Sequence, residues 1–155
     1  MTSTLHRPTH LLSTFLVLLA LPLLAPPAFA QEMVSVSGKE VNMRSGPGTK
    51  YPANWALSRG YPLKVIGRQG DWLKVSDFED DSGWIFRSLT NSTPHFVVKA
   101  KNVNVRSEPT TKSRVVGKLN YGEVVKTLER KTSWVKIQHE GRLQGWVSRP
   151  LLWGW

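Results

Sequence analysis

Four tryptophans at repeated positions offer the clearest chemistry in this sequence. Trp72 and Trp84 recur as Trp134 and Trp146. Because side chains alternate between the two faces of a strand, each pair is expected on the outer face, away from Leu73. Exposed indole rings there could stack on sugar rings or peptide groups. The alternative is that a long loop folds over this face and buries the rings, because a small unit needs its large side chains for its core.

Two arginines occupy equivalent positions, each two residues after an asparagine: Arg44 in N-M-R and Arg106 in N-V-R. A guanidinium binds a carboxylate through two parallel hydrogen bonds, so both are candidates for holding acidic groups of a peptide or protein ligand. Their position at a loop entrance favours a structural role, in which the asparagine caps the turn and each arginine braces its loop across an aromatic ring.

Other aromatic residues occur in one copy only. Tyr51 and Trp55 stand where the second copy has serine and glycine, so the shared fold does not require them and we predict that they contact ligand. Trp153 and Trp155 either pack back on the fold or stay exposed for a partner. The candidate ligand-binding residues are therefore Arg44, Tyr51, Trp55, Trp84, Arg106 and Trp146.

An acidic hairpin is the main candidate for metal binding. Asp77, Glu79, Asp80 and Asp81 crowd together, but their spacing matches no known calcium loop, so we expect neither a metal nor a cofactor. The cluster is either a solvated tip or a surface that docks on the basic second half of the chain.

Catalysis is not expected. Beyond the first 30 residues the only histidines are His95 and His139, and neither belongs to a nucleophile–base–orienter pattern. The chain has no cysteine, which excludes thiol nucleophiles, thiolate metal sites and disulfides. We therefore predict a binding protein rather than an enzyme.

Basic charge is concentrated in the second half. Residues 31–94 carry eight Lys/Arg and seven Asp/Glu, whereas residues 95–155 carry twelve and four. Such a surface favours anionic partners. Nucleic acid is not expected among them, because the start of the chain indicates export.

An export signal is predicted over residues 1–30. A weakly basic start precedes an apolar run from Leu11 to Leu24, and Ala28-Phe29-Ala30 fits a small-x-small cleavage site. The run is too short to span a bilayer, so no stable membrane insertion is expected after cleavage. The predicted location is periplasmic or secreted.

An internal repeat organises the rest of the chain. A shift of 62 positions aligns Val41–Pro47 with Val103–Pro109, Trp72–Val75 with Trp134–Ile137, and Gly83–Arg87 with Gly145–Arg149. Each copy shows five or six short strands separated by turns, which predicts an all-β fold of two tandem small barrels. The predicted divisions are residues 31–90, a linker over 91–95, and residues 96–155.

The repeated motifs resemble the bacterial SH3-like domain family. The resemblance rests on V-N-V-R-S-E-P from Val103, W-V-K-I from Trp134 and G-W-V from Gly145, together with their first-copy equivalents. It covers residues 36–90 and 98–152. It implies small SH3-like β-barrels, export, and binding to cell-wall peptides, glycans or protein partners.

Two functions remain open at this stage. The first is a non-catalytic module that binds peptidoglycan or an associated envelope polymer. The second is a periplasmic protein–protein adaptor that positions or regulates a wall enzyme. The sequence predicts neither the ligand nor the oligomeric state.

Overall fold

The computed structural model describes residues 31–155 as two tandem β-barrels, each built from one curved seven-stranded antiparallel sheet. This confirms the predicted all-β fold. The predicted export signal lies outside the described residues. Among residues 31–155, no helix has the length and apolar character needed to cross a membrane.

The strands of the first barrel are β1 (Met33–Val36), β2 (Glu40–Arg44), β3 (Ala53–Ser58), β4 (Pro62–Gln69), β5 (Trp72–Ser76), β6 (Ser82–Phe86) and β7 (Thr90–Asn91). Those of the second are β8 (His95–Val98), β9 (Val103–Arg106), β10 (Val115–Leu119), β11 (Val124–Arg130), β12 (Trp134–His139), β13 (Leu143–Ser148) and β14 (Leu152–Gly154). The spatial orders, β3-β2-β6-β5-β4-β1-β7 and β10-β9-β13-β12-β11-β8-β14, are the same topology twice.

Each barrel encloses its own apolar core. Alternation along β5 and β6 buries Leu73, Val75 and Ile85, as the sequence predicted, and leaves Trp72 and Trp84 on the other face. The second core contains the equivalent Val135, Ile137 and Val147 along with seven further buried residues, Phe96, Val98, Val103, Val105, Leu119, Val125 and Leu152. The duplicated pattern therefore produces a duplicated interior.

Short closing elements complete each barrel. A single 3₁₀ turn follows β6 at Arg87–Leu89, and its counterpart follows β13 at Arg149–Leu151. Beyond the turns, β7 pairs with β1 and β14 pairs with β8. Only residues 92–94 lie between the last strand of the first barrel and the first strand of the second.

A buried serine joins the two barrels. The Ser35 hydroxyl donates to the Thr93 carbonyl oxygen at 2.7 Å and accepts from the Trp155 indole Nε1 at 3.2 Å. The His95 Nδ1 lies 2.9 Å from the Thr93 oxygen and 3.2 Å from the Ser35 hydroxyl. Gly60 is required beside this cluster, because a Cβ there would lie 2.8 Å from the His95 ring. The short linker is thus packed rather than free.

Candidate functional site

A groove runs along the outer face of the first barrel. Its volume is about 430 Å³, and its lining residues are Gly38, Glu40, Val41, Asn42, Arg44, Thr49, Trp72, Phe86 and Leu89. Strand β2 and the loop that follows it contribute one wall, and the outer faces of β5 and β6 contribute the other.

The second barrel carries the same groove. It measures about 420 Å³, and its lining residues are Ala100, Lys101, Asn102, Val103, Asn104, Arg106, Thr111, Trp134, Ser148 and Leu151. Each of the nine positions of the first groove reappears 62 residues later. Six keep the same residue type, including asparagine, arginine, threonine and tryptophan. The duplication has therefore preserved a surface concavity as well as a core.

Strand pairing sets the aromatic wall of the first groove. Trp72 on β5 lies opposite Phe86 on β6, and their rings meet edge to face with centroids 5.3 Å apart. Both side chains are half-buried and line the groove. In the second groove, Ser148 takes the position of Phe86 opposite Trp134.

The two arginines hold the loop wall in place. Arg44 Nη1 donates to the Tyr51 carbonyl oxygen at 2.8 Å and lies 3.4 Å from that of Thr49. Arg106 Nη1 donates to the Ser113 carbonyl oxygen, also at 2.8 Å. Both arginines thus brace the loop, through its backbone carbonyl oxygens rather than across an aromatic ring, and both residues line their grooves. One donor of each guanidinium is already committed before any ligand arrives.

Tyr51 packs within its own loop. Its ring covers Gly46, where an added Cβ would lie 2.6 Å from the ring atoms, and Lys50 Nζ lies 5.4 Å from its centroid. The equivalent loop of the second barrel is held by a different contact, because the Ser113 hydroxyl donates to the carbonyl oxygen of Glu108 at 2.9 Å. Tyr51 is not among the residues that line the groove.

The other aromatic candidates also lie outside the grooves. Trp55 is 51% exposed on β3. Trp84 lies between Arg44 and Lys74 across the sheet and is half-buried. Its counterpart Trp146 is only 7% exposed, with Lys131 Nζ 5.1 Å from the centre of its ring. Of the predicted site residues, the structure brings only the two arginines to the grooves.

Sequence reasoning had weighed Trp72, Trp134 and the two asparagines but had not selected them as ligand-binding residues. Thr49 and Leu89, with their counterparts, belong to the matched positions of the repeat but were not considered as ligand-binding residues. The signal that could have identified them was already present, because all are identical across the 62-residue shift. What the sequence did not show was that the loop and the 3₁₀ turn come together around the tryptophan.

The acidic hairpin is organised by Asp77. Its Oδ1 accepts hydrogen bonds from the backbone N–H groups of Glu79 and Asp81, both at 2.9 Å. Burial raises the pKa of the Asp77 carboxyl, an effect that these two bonds partly oppose. The hairpin also touches the second barrel, since Tyr121 donates a hydrogen bond to Glu79 and its ring lies 5.3 Å from that of Phe78. The contact is made through a tyrosine rather than through basic side chains.

One serine–histidine contact has the residue types of a nucleophile and a base. Ser35, however, is fully buried, and its hydroxyl already donates to the Thr93 carbonyl oxygen. Burial lowers the pKa of His95, and the positive charge of Lys126 adds to that effect. A nucleophile must reach its substrate, whereas this pair is enclosed where the two barrels meet and contacts Thr93 and Trp155.

The comparison with protein families agrees with this duplicated architecture. Two family models, both described as bacterial SH3 domain, match residues 37–91 and 101–152. The chain belongs to the bacterial SH3 domain family. The first bacterial SH3 domain contains the whole of the first groove, and the second contains all of its groove except Ala100.

Similar proteins include much longer ones. The tandem bacterial SH3 domains are 25% identical over 130 residues to YrvJ of Bacillus subtilis (strain 168), named as an N-acetylmuramoyl-L-alanine amidase; the match covers 77% of this chain and 25% of that protein. LytH of Staphylococcus aureus, named as a cell wall amidase, is 33% identical over 54 residues, covering 34% of this chain and 19% of its own length. The chain thus spans about a quarter or less of these two relatives.

Solved structures show a more distant likeness. An NlpC/P60 family protein from Bacillus cereus ATCC 10987 aligns over 79% of this chain and 56% of its own, with a TM-score of 0.38 and 12% sequence identity. A TM-score that low supports no inference about function.

Proposed function

We propose that this chain is an exported, non-catalytic module that binds the bacterial cell wall through the two equivalent grooves. The observation that carries the proposal is the recurrence of one groove, with the same asparagine, arginine, threonine and tryptophan, in both barrels. Packing alone would preserve the buried Val41 and Val103, whereas the other five identical residue types around an open concavity favour a shared ligand chemistry.

The groove residues suit the components of peptidoglycan. The half-buried indole of Trp72 presents apolar area for a sugar ring or a peptide unit. Asn42 is exposed on β2 and carries both a donor and an acceptor for an amide. The part of the Arg44 guanidinium not committed to the loop provides a positive group beside them.

The named relatives support the same assignment. YrvJ and LytH are both named as amidases of the cell wall or of its muramoyl-alanine linkage, and this chain matches only a small part of each. A matching segment that makes up only a small part of such proteins fits a part that holds the enzyme near its substrate. We propose the same targeting role here, with an export signal over residues 1–30 and the division at residues 91–95 separating two binding units.

Cosedimentation with protein-free sacculi tests the proposal. We expect the purified protein to pellet across a salt series, because contacts to an aromatic groove are not screened as surface ion pairs are. The paired variant Trp72→Ala/Trp134→Ala should bind about tenfold or more weakly, as expected for removal of central aromatic contacts. Asn42→Ala/Asn104→Ala is a milder second variant at exposed or half-buried positions.

Trp55→Ala is the matched control, since it removes an equally large ring outside the grooves. Melting temperatures should accompany every variant, so that a loss of fold is separated from a loss of binding. If the wild-type protein fails to pellet at every salt concentration, the wall-binding proposal is wrong and the periplasmic adaptor is favoured. Loss of pelleting in Trp55→Ala alone would place binding on another surface.

A further inference from the structure

The two grooves share a frame but differ in charge. Glu40 lines the first groove, and its counterpart Asn102 is neutral. Lys101 lines the second groove, whereas its counterpart Lys39 is not among the residues of the first. With one arginine in each, the first groove carries formal charges of opposite sign and the second carries two positive charges and no negative one.

The grooves also differ in apolar character. The first places Phe86 edge to face against Trp72, so two aromatic rings form its wall. The second has the hydroxyl of Ser148 at that position, opposite Trp134. Aromatic pairs favour uncharged, flat or apolar groups, while a hydroxyl beside two cations favours a hydrogen-bonding anion.

We propose that the two grooves select different elements of one ligand. The second groove prefers an element with a free carboxylate, whereas the first has no such preference and also accepts an uncharged element such as an amide or a sugar ring. This inference rests on the proposed function and adds to it a division of labour between the barrels. Lys101 and Arg106 are the residues that set the preference of the second groove, and Glu40 is the residue that removes it from the first.

The residues that differ can be changed without disturbing either core. Glu40 and Lys101 are both exposed. Asn102 is less suitable for exchange, because its φ of 54° lies in the left-handed region, where asparagine is favoured over longer side chains. Glu40→Gln and Lys101→Gln therefore test the charges alone.

The test uses a pair of small probes, N-acetyl-alanyl-alanine with a free carboxylate and the same dipeptide as its C-terminal amide. Binding is followed by NMR through the indole N–H signals of Trp72 and Trp134, one in each groove. We expect the signal of Trp134 to report about threefold to tenfold tighter binding of the acid than of the amide, with the difference declining as salt is added. The signal of Trp72 should report equal binding of the two probes within about twofold.

The variants should move these preferences in opposite senses. Lys101→Gln should bring the acid preference at Trp134 below about threefold, and Glu40→Gln should create an acid preference at Trp72. Equal acid preference at both indoles in the wild type would overturn the inference. Movement of neither signal with either probe would also overturn it. If sacculi still pellet the protein in that case, the proposed function survives; if they do not, both proposals fall.

Discussion

The indole Nε1 of Trp155 donates a hydrogen bond to the hydroxyl of Ser35, 3.2 Å away and 120 residues earlier in the chain. The bond connects the end of the second barrel to the first strand of the first. Because Ser35 also holds Thr93 and His95, a single buried hydroxyl links both barrels and the residues between them. The two grooves are therefore presented by one packed unit rather than by independent barrels.

Removal of this hydroxyl should destabilise both barrels together. We expect Ser35→Ala to lower the free energy of unfolding by about 1–3 kcal/mol, because the Trp155 indole N–H loses its buried partner. Urea unfolding followed by circular dichroism measures the change. Ser82→Ala, at an exposed position on β6, is the control and should change stability by less than about 0.5 kcal/mol. Equal effects of the two substitutions would show that the junction contributes nothing.

The junction should also make stability depend on pH. Burial lowers the pKa of His95 below its ordinary value of 6.5, so the unfolded chain takes up a proton at a higher pH than the folded protein does. Stability is therefore expected to fall as the pH drops through about 6.5. The charged groups that border the same cleft are Arg59, Lys126 and Glu140, and the positive charge of Lys126 opposes protonation of His95.

The variant His95→Asn isolates this effect. Its side-chain amide can still donate to the Thr93 carbonyl oxygen but does not titrate. We expect the loss of unfolding free energy between about pH 7.5 and about pH 5 to be smaller in the variant than in the wild type. Urea unfolding at each pH provides the comparison, and other titrating groups cancel in the difference. Identical pH profiles of the two proteins would mean that protonation of His95 does not destabilise the folded protein.

The loop between β2 and β3 packs Tyr51 against Gly46, and the equivalent loop between β9 and β10 hydrogen-bonds Ser113 to Glu108. A Cβ at Gly46 would lie 2.6 Å from the tyrosine ring, so Gly46→Ala should cost about 1–3 kcal/mol of unfolding free energy. The exchange Gly46→Glu/Tyr51→Ser should recover part of the stability that Gly46→Glu loses alone, because it installs the pair of the second barrel.

Gly48 provides the control for that experiment. A Cβ there would lie 3.5 Å from the Tyr51 ring, which is ordinary contact. Thermal and urea unfolding of Gly48→Ala should therefore stay within about 0.5 kcal/mol of the wild type. Comparable losses for Gly46→Ala and Gly48→Ala would contradict the described packing of the tyrosine.

The fold was accessible from the sequence because it depends on local alternation. Trp72-Leu73-Lys74-Val75 predicts which side chains enter the core, and the 62-residue shift predicts that the second barrel repeats the first. Both predictions use residues that are near neighbours in sequence. The bracing role of Arg44 could likewise be foreseen, since its partner lies only seven residues away.

The site was less accessible because it depends on contacts between distant elements. Thr49 on the loop, Trp72 on β5 and Leu89 on the 3₁₀ turn meet only after the sheet has curved. No periodicity connects them, and the copy-specific Tyr51 and Trp55 attracted attention instead. The sequence left open that Trp155 packs back on the fold, but it did not indicate Ser35 as the partner, because the two residues belong to different repeats and have no counterparts in the same relationship.

The indole N–H signals of the seven tryptophans allow the central claim to be tested in one titration. Solubilised peptidoglycan fragments are added to the isotopically labelled protein, and the seven signals are followed by NMR. Binding in the grooves predicts that the signals of Trp72 and Trp134 both shift and saturate as fragments are added, while the signal of the exposed Trp55 stays in place. Shifts at Trp55 without shifts at Trp72 or Trp134 would contradict the assignment of the grooves as the binding site.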